Sequence, residues 1–316
     1  MPKPIFRITG SKTKQSLSDA VAVIDAVATT DTRLVEPFCG SGSVSLFSKQ
    51  KRVLLADLQP NIIIALLAAK HRPESLLIAF NSLRENFLAD PEKKRFYEIR
   101  DAPPQDAIPR AAWFIFIVHA CFNWLWRVNS KGKCNTTFGD VAGIRRLTKA
   151  MQRNDVLDFS AWLNAGDKQI KHADAFDTIA MCGENDLIHV DPPYAKQFDQ
   201  YNAHPFRLSG HSRMKDALQE AWTRGSSIVF HCNADKEVAA MYQDFCSILL
   251  RPVKRMVQGS KRAGTGPNAW EMLIVSDDQQ GNLFNKGEEL ERCLGGTVKP
   301  IYNDQEKLWE TWTPSL

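Results

Sequence analysis

Asp186-Leu187-Ile188-His189-Val190, followed directly by Asp191-Pro192-Pro193-Tyr194, is the stretch that decides the fold. Its first part is mostly apolar with β-branched side chains, the composition of a strand buried on both faces of a parallel sheet. Two prolines then stop the strand and hold the backbone beyond it extended. In an open α/β sheet, ligands bind outside the carboxyl ends of the strands. At that edge Asp191 offers a carboxylate, Pro192 a carbonyl and Tyr194 an aromatic face, with Pro193 as the rigid step between them. Together they suit a flat amine of the kind carried by nucleobases. The same four residues also make an ordinary turn after a strand, so a second motif has to decide.

That motif lies near the amino end, in Arg33-Leu34-Val35-Glu36-Pro37-Phe38-Cys39-Gly40-Ser41-Gly42-Ser43-Val44. A strand runs into a pair of glycines and then into a helix expected over 44–49, an arrangement that lets a ligand approach the backbone at a helix start. Glu36 beside Gly40 and Gly42 disfavours a phosphate and favours a ligand bearing an amino group or a sulfonium. A second strand expected over 51–56 ends in Asp57, which is placed to accept hydrogen bonds from ribose hydroxyls. The full G-x-G-x-x-G pattern is missing, so a dinucleotide pyrophosphate is not the obvious ligand. S-adenosylmethionine carries both an amino group and a sulfonium.

Outward from these two motifs the chain reads as α/β with a helical interruption. A helix is expected over 15–27. Between residues 61 and 163 the pattern is mainly helical, with helices expected over 61–70, 74–88, 93–99, 110–125 and 143–153. Strands return over 169–173, ending at Asp174, then over 187–190 and 226–231, with helices over 213–223 and 236–245. Residues 247–257 and 269–276 read as a closing antiparallel pair around the glycine-rich basic loop 258–267. Leu308, Trp309 and Trp312 are expected to pack back on the body from a polar tail. A helical run between two α/β signals predicts an inserted domain over 61–165, with 1–60 and 166–276 forming the catalytic domain and 277–316 a C-terminal extension.

Composition narrows the function classes. The 316 residues are 44% hydrophobic, which is ordinary for a globular chain. The longest apolar stretch, 111–126, is short for a bilayer span and contains His119 and Asn123, so no membrane role is expected. Met1-Pro2-Lys3-Pro4 lacks the pattern of a signal peptide. Seven cysteines without any C-x-x-C spacing argue against a disulfide framework and a zinc site, and for a reducing cytoplasm. No metal is expected. The net charge of +4 is mild, but basic pairs recur at Lys93-Lys94-Arg95, Arg145-Arg146, Lys254-Arg255 and Lys261-Arg262. Pairs of this kind are common on solvated surfaces; gathered on one face they attract a polyanion such as DNA.

Inside the helical interruption, aromatic, amide and basic residues alternate through Cys121-Phe122-Asn123-Trp124-Leu125-Trp126-Arg127-Val128-Asn129-Ser130-Lys131-Gly132-Lys133-Cys134-Asn135-Thr136-Thr137-Phe138-Gly139. This suits a hairpin whose tip meets base edges, Arg to guanine and Asn to adenine. A helix end with a snorkelling Arg is the alternative.

With four blocks in order, the chain resembles the Dam-type, or D12, class of DNA adenine-N6 methyltransferases over about residues 4–276. E-P-F-C-G-S-G-S-V is similar to the family's cofactor loop, L-A-D-L-Q-P-N to its ribose-binding strand end, the Cys121–Gly139 block to its DNA-contacting block, and D-P-P-Y to its catalytic motif. The resemblance implies a Rossmann-like S-adenosylmethionine-dependent methyltransferase sheet with an inserted, mainly helical DNA-recognition domain. It implies methyl transfer to N6 of an adenine flipped out of double-stranded DNA, with S-adenosylhomocysteine as product.

By the same resemblance Asp57 binds the cofactor ribose, while Glu36, Pro37, Phe38, Gly40 and Gly42 surround its methionine part. Asp174 holds the cofactor's adenine amine, and Asp191 borders both cofactor and target base. Lys12 matches a cofactor-contacting lysine and Arg7 a DNA-contacting one, although the family's K-W-A-G-G-K is here R-I-T-G-S-K, with Ile8 at the tryptophan position. Asn123, Leu125, Arg127 and Asn129 fall on positions that enter or read the duplex. Thr137 replaces a proline, Cys134 a phenylalanine and Trp124 a glycine. The implied partner is double-stranded DNA; protection against a cognate restriction nuclease, service to a phage or mobile element, and regulation of the host are the alternatives for its context. Methylation of RNA or of a protein amide, and a DNA-binding regulator without catalysis, are the rival readings.

Overall fold

The computed structural model describes residues 2–8, 14–192, 208–253, 269–276 and 299–300. Lys12, Pro193 and Tyr194 therefore lie outside the described residues, as do the loop 258–267 and the packing of Leu308, Trp309 and Trp312.

The strands are β1 (Arg33–Glu36), β2 (Arg52–Asp57), β3 (Asp167–His172), β4 (Asp186–Val190), β5 (Ser227–Asn233), β6 (Cys246–Val253), β7 (Ala269–Ser276) and β8 (Lys299–Pro300). They form one sheet in the order β3-β2-β1-β4-β5-β7-β6-β8. β1 to β5 run parallel, and β7 is antiparallel to both β5 and β6. This is the Rossmann-like sheet expected from the sequence. Strand order reverses between β1 and β4, the switch point at which open α/β sheets place ligands. At the opposite, amino edge, Arg33 donates to both carboxylate oxygens of Asp186 at 2.7 and 2.8 Å and locks the starts of β1 and β4 together.

The helices are α1 (Lys14–Val27), α2 (Ser43–Phe47), α3 (Pro60–His71), α4 (Pro73–Leu88), α5 (Lys93–Asp101), α6 (Ala107–Ala120), α7 (Asp140–Lys149), α8 (Arg153–Asn164), α9 (Ala175–Ala180), α10 (Leu208–Thr223) and α11 (Lys236–Tyr242). Proline begins α3 and α4, where a missing N–H is harmless. Successive strand residues feed opposite cores, as their alternation requires. Leu34, Val53, Leu55 and Val229 join side chains of α1, α3, α4, α6 and α8 in one cluster, whereas Val35, Ile188 and Phe230 join α10 and α11 in the other. The first cluster runs from the sheet face into the helices between β2 and β3. At its centre is α6, buried at every residue from Ala111 to Ala120. Among the described residues no helix is long and apolar enough to cross a membrane.

Three helical stretches differ most from the sequence reading. The helix expected over 110–125 ends at Ala120, where Cys121 turns extended (φ −74°, ψ 163°). Its open end is taken over by α7: the Gly139 amide donates to the Ala120 carbonyl at 2.9 Å, and Arg146 Nε donates to the His119 carbonyl at 2.9 Å. The helix expected over 143–153 is α7, which ends at Lys149, and beyond Met151 at φ 53° a second helix, α8, follows that was not anticipated. The short α9 was not anticipated, although Asp174 at its start is a sound N-cap, accepting from the Phe176 amide at 2.8 Å.

Candidate active site and nucleic-acid interface

The order β3-β2-β1-β4 sets four acids side by side along the carboxyl edge: Asp174 just beyond β3, Asp57 closing β2, Glu36 closing β1 and Asp191 just beyond β4. Registers fix the row, with Asp57 opposite His172, Glu36 opposite Leu55 and Val35 opposite Ile188.

Between β1 and α2 the turn needs its glycines. Gly40 sits at φ 50° and Gly42 at φ 68°, in the left-handed region that side chains disfavour. A Cβ on Gly40 would lie 3.5 Å from Ile8 Cδ1, so Ile8 crosses over the turn. Ile8 is carried there by its neighbours: Phe6 is buried edge-on against Phe114 at 5.4 Å, and the Ile5 carbonyl lies 3.2 Å from His119 Nε2. Arg7 is exposed on the same segment. Pro37 is buried beneath the turn and Phe38 packs on the second core.

Asp57 is tied to this turn. Its Oδ2 accepts from the Gly40 amide at 3.0 Å and its Oδ1 from the Gln59 amide at 2.9 Å. Desolvation lifts its carboxyl to a pKa of about 6, against the opposing pull of those two amides and of nearby His172. Glu36 is buried deeper. Its Oε1 accepts from the Ser45 amide at 3.0 Å and from the Ser45 hydroxyl, while His189 Nδ1 stands 3.6 Å from Oε2. Glu36 thus anchors the start of α2 and faces the strand that carries Asp191.

Asp191 is partly buried and Pro192 fully so. Continuing the β4–β5 register past Val190 and Phe230 sets Asp191 beside His231 on the neighbouring strand. His231 Nε2 lies 2.9 Å from Glu271 Oε2, and the Ser16 hydroxyl donates to that same oxygen at 2.6 Å. This buried Ser16, His231 and Glu271 cluster was not found from sequence. Its members come from α1, β5 and β7, and no local motif joins them.

The Cys121–Gly139 block does form a hairpin-like loop, with antiparallel bridges between Cys121 and Phe138 and between Val128 and Cys134. Asn129 makes its tip: the side-chain oxygen accepts from the amides of Lys131 at 2.9 Å and Lys133 at 3.0 Å. Buried Thr136 ties the two arms by accepting from the Arg127 amide at 3.0 Å, while the Arg127 guanidinium donates to Thr137 Oγ1 at 3.0 Å. Trp126 anchors the base against Phe114, with ring centroids 4.9 Å apart. Asn123 is exposed, Leu125 is half-buried, and Phe122, which the sequence reading passed over, is an exposed aromatic beside them. Lys131 and Lys133 on the tip and Arg145 and Lys149 on α7 are exposed. Among the described residues no group of three or more His, Cys, Asp or Glu side chains could hold a metal ion.

Comparison with known proteins agrees with this geometry. Residues 9–257 match the family model described as D12 class N6 adenine-specific DNA methyltransferase. The chain is 24% identical over 273 residues to the type II methyltransferase M.MjaIII of Methanocaldococcus jannaschii, covering 77% of this chain and 88% of that protein. It is 22% identical over 222 residues to the type II methyltransferase M1.LlaDCHI of Lactococcus lactis subsp. cremoris, covering 66% and 75%. It is 29% identical over 219 residues to a DNA adenine methylase of Vibrio cholerae serotype O1, covering 66% and 76%.

Proposed function

Because the chain belongs to the D12 class of N6 adenine-specific DNA methyltransferases, we propose that it moves the methyl group of S-adenosylmethionine to N6 of an adenine turned out of double-stranded DNA. The observation that carries this reading is the row of carboxylates at the switch point, with Asp191 one strand from the glycine turn.

The residues present fit that cofactor. The turn has no side chain at Gly40 or Gly42, Asp57 offers a half-buried carboxylate at the end of β2, and Ile8 lies across the turn from the other side. Asp57 takes the ribose hydroxyls and the turn from Glu36 to Gly42 receives the methionine part. Asp174 takes the adenine amine, and Lys12 is a further cofactor contact by resemblance. Glu36 acts through α2 and β4, because its own oxygens are engaged with Ser45 and face His189. The bound sulfonium supplies an activated methyl group.

What remains is to make a poor nucleophile react, since the lone pair of N6 is delocalised into the purine ring. Asp191 and the Pro192 carbonyl each accept one N6–H, which favours a pyramidal nitrogen and stabilises the positive charge that grows on it. Tyr194 stacks on the base and, with Pro193 setting its distance from Asp191, offsets part of the cost of unstacking. Holding the amine in line supplies much of the remaining acceleration.

On the DNA side, Asn123 and Leu125 enter the duplex with Phe122 as an apolar wedge, and Arg127 reads a guanine edge. Thr137 orients Arg127 and Asn129 shapes the tip, while Arg7, Lys131 and Lys133 meet phosphates. In this reading 61–165 is the target-recognition part, 1–60 and 166–276 the catalytic part, and 277–316 an extension. Two relatives carry type II methyltransferase names, and a cognate nuclease is the further partner this suggests. The test is to incubate the protein with unmethylated duplex and methyl-labelled S-adenosylmethionine and digest the DNA. Label on N6-methyl-2′-deoxyadenosine in one sequence context is expected; unlabelled DNA, with label taken up by RNA or protein offered in parallel, overturns the reading.

A further inference from the structure

Two successive residues at the root of the hairpin, Asn123 at φ 47° and Trp124 at φ 61°, are left-handed, and neither is glycine. A bulky residue is an uncommon occupant of that region and persists only where its surroundings overdetermine it. What overdetermines it here is a clamp on the Trp124 ring.

The His119 ring meets it edge-on, with centroids 5.1 Å apart at 67°. The Arg146 guanidinium lies over the same ring, 4.9 Å from its centroid. Both partners are fixed from behind. His119 is buried at the end of α6 with Nε2 3.2 Å from the Ile5 carbonyl, and burial lowers its pKa to about 4, so it faces Arg146 as a neutral ring. Arg146 donates to the His119 carbonyl at 2.9 Å and to the Cys121 carbonyl. Two glycines let the hairpin base and α7 come this close to Arg146 and to α6. A Cβ on Gly139 would stand 2.8 Å from Arg146 Nη2, and one on Gly143 would stand 2.2 Å from the Ala120 carbonyl oxygen.

We propose that Trp124 is a positioning residue for target binding: held by its contacts with both His119 and Arg146, it keeps the left-handed Asn123-Trp124 turn preformed, so that Phe122, Asn123 and Leu125 meet the duplex without first being ordered. This rests on the reading of the hairpin as the DNA-contacting element. A preformed turn lowers the ordering cost of binding and leaves the methyl-transfer step alone. The grip also joins the hairpin to the N-terminal segment that lays Ile8 over Gly40, because His119 touches both.

The test compares Trp124→Gly, which accepts the left-handed turn but removes the ring, with Trp124→Phe, which keeps an aromatic face for both partners. In Trp124→Gly the KM for duplex is expected to rise about tenfold while kcat and the Kd for S-adenosylmethionine stay within about twofold. Without DNA, trypsin should cut it faster than wild type at Lys131 and Lys133. Trp124→Phe should restore both readouts. A Trp124→Gly protein with wild-type KM and trypsin rate overturns the proposal, as does one whose cofactor Kd weakens in parallel with its KM. Should Trp124→Gly not fold, Trp124→Leu stands against Trp124→Phe: a raised KM in the leucine variant alone supports the clamp, and equal values overturn it. Wild type that transfers no methyl group to DNA would sink the DNA reading instead, and the trypsin rates would still judge the clamp.

Discussion

The backbone amide of Gly40 donates to Asp57 Oδ2 at 3.0 Å, so the glycine turn after β1 and the acid that closes β2 are one unit. A cofactor reaching the turn therefore meets a carboxylate already fixed in place. The same contact keeps an ionisable group in a desolvated site, where its protonation is set by the fold.

Asp57 gives a pH dependence with a definite sign. Desolvation raises its pKa from the ordinary carboxylate value to about 6. The folded chain therefore holds this proton more tightly than the unfolded chain, and the group's contribution to stability is largest below the unfolded value and is lost as pH rises through 6. Cofactor binding runs the other way, because the ionised carboxylate is the better acceptor for ribose hydroxyls. The Kd for S-adenosylmethionine should rise as pH falls below 6 and flatten above it. In Asp57→Asn the cofactor should bind weakly at every pH, with no inflection there. Calorimetric titration across pH 5 to 8 distinguishes these outcomes.

Gly143→Ala should loosen the hairpin from α6. Its Cβ would stand 2.2 Å from the Ala120 carbonyl oxygen, which is backbone and unable to swing aside. Overpacking of this kind costs about 1–3 kcal/mol. A lowered thermal midpoint with weaker duplex binding is expected, while a variant as stable as wild type would show that α7 sits further from α6 than described.

Asp186→Ala separates stability from catalysis. It leaves Arg33 without its bidentate partner at the amino edge of the sheet, across from the site. A loss of about 1.5–3 kcal/mol is expected in denaturant unfolding. Turnover of the folded fraction should match wild type.

Arg127→Ala should relax recognition at one base pair. Loss of a bidentate contact to guanine removes about 1–3 kcal/mol of discrimination. Methylation rates on duplexes varied one position at a time would show a single position losing its preference. Uniform weakening at all positions would mark Arg127 as a phosphate contact.

The sequence was most legible where local chemistry decides structure. β4 and β1 are short apolar runs stopped by prolines or glycines, and their ends carry Asp191 and Gly40, so motif and element coincide. Legibility failed where distant side chains decide. Nothing within 110–125 says that the helix stops at Ala120, because the stop is made by Gly139 and Arg146 on α7. Nothing in the Cys121–Gly139 block alone says that the Asn129 side-chain oxygen also closes the hairpin tip. Nothing around Glu36 says that it also anchors α2 through the Ser45 amide. The Ser16, His231 and Glu271 cluster is assembled only by the sheet.

The central claim is that Asp191 activates the adenine amine, and single-turnover methyl transfer by Asp191→Ala tests it most directly, with duplex and cofactor binding measured on the same preparation. The account predicts a loss of transfer of at least about a thousandfold with both affinities largely kept, the mark of an interaction made in the transition state. Near-normal transfer by Asp191→Ala would contradict it.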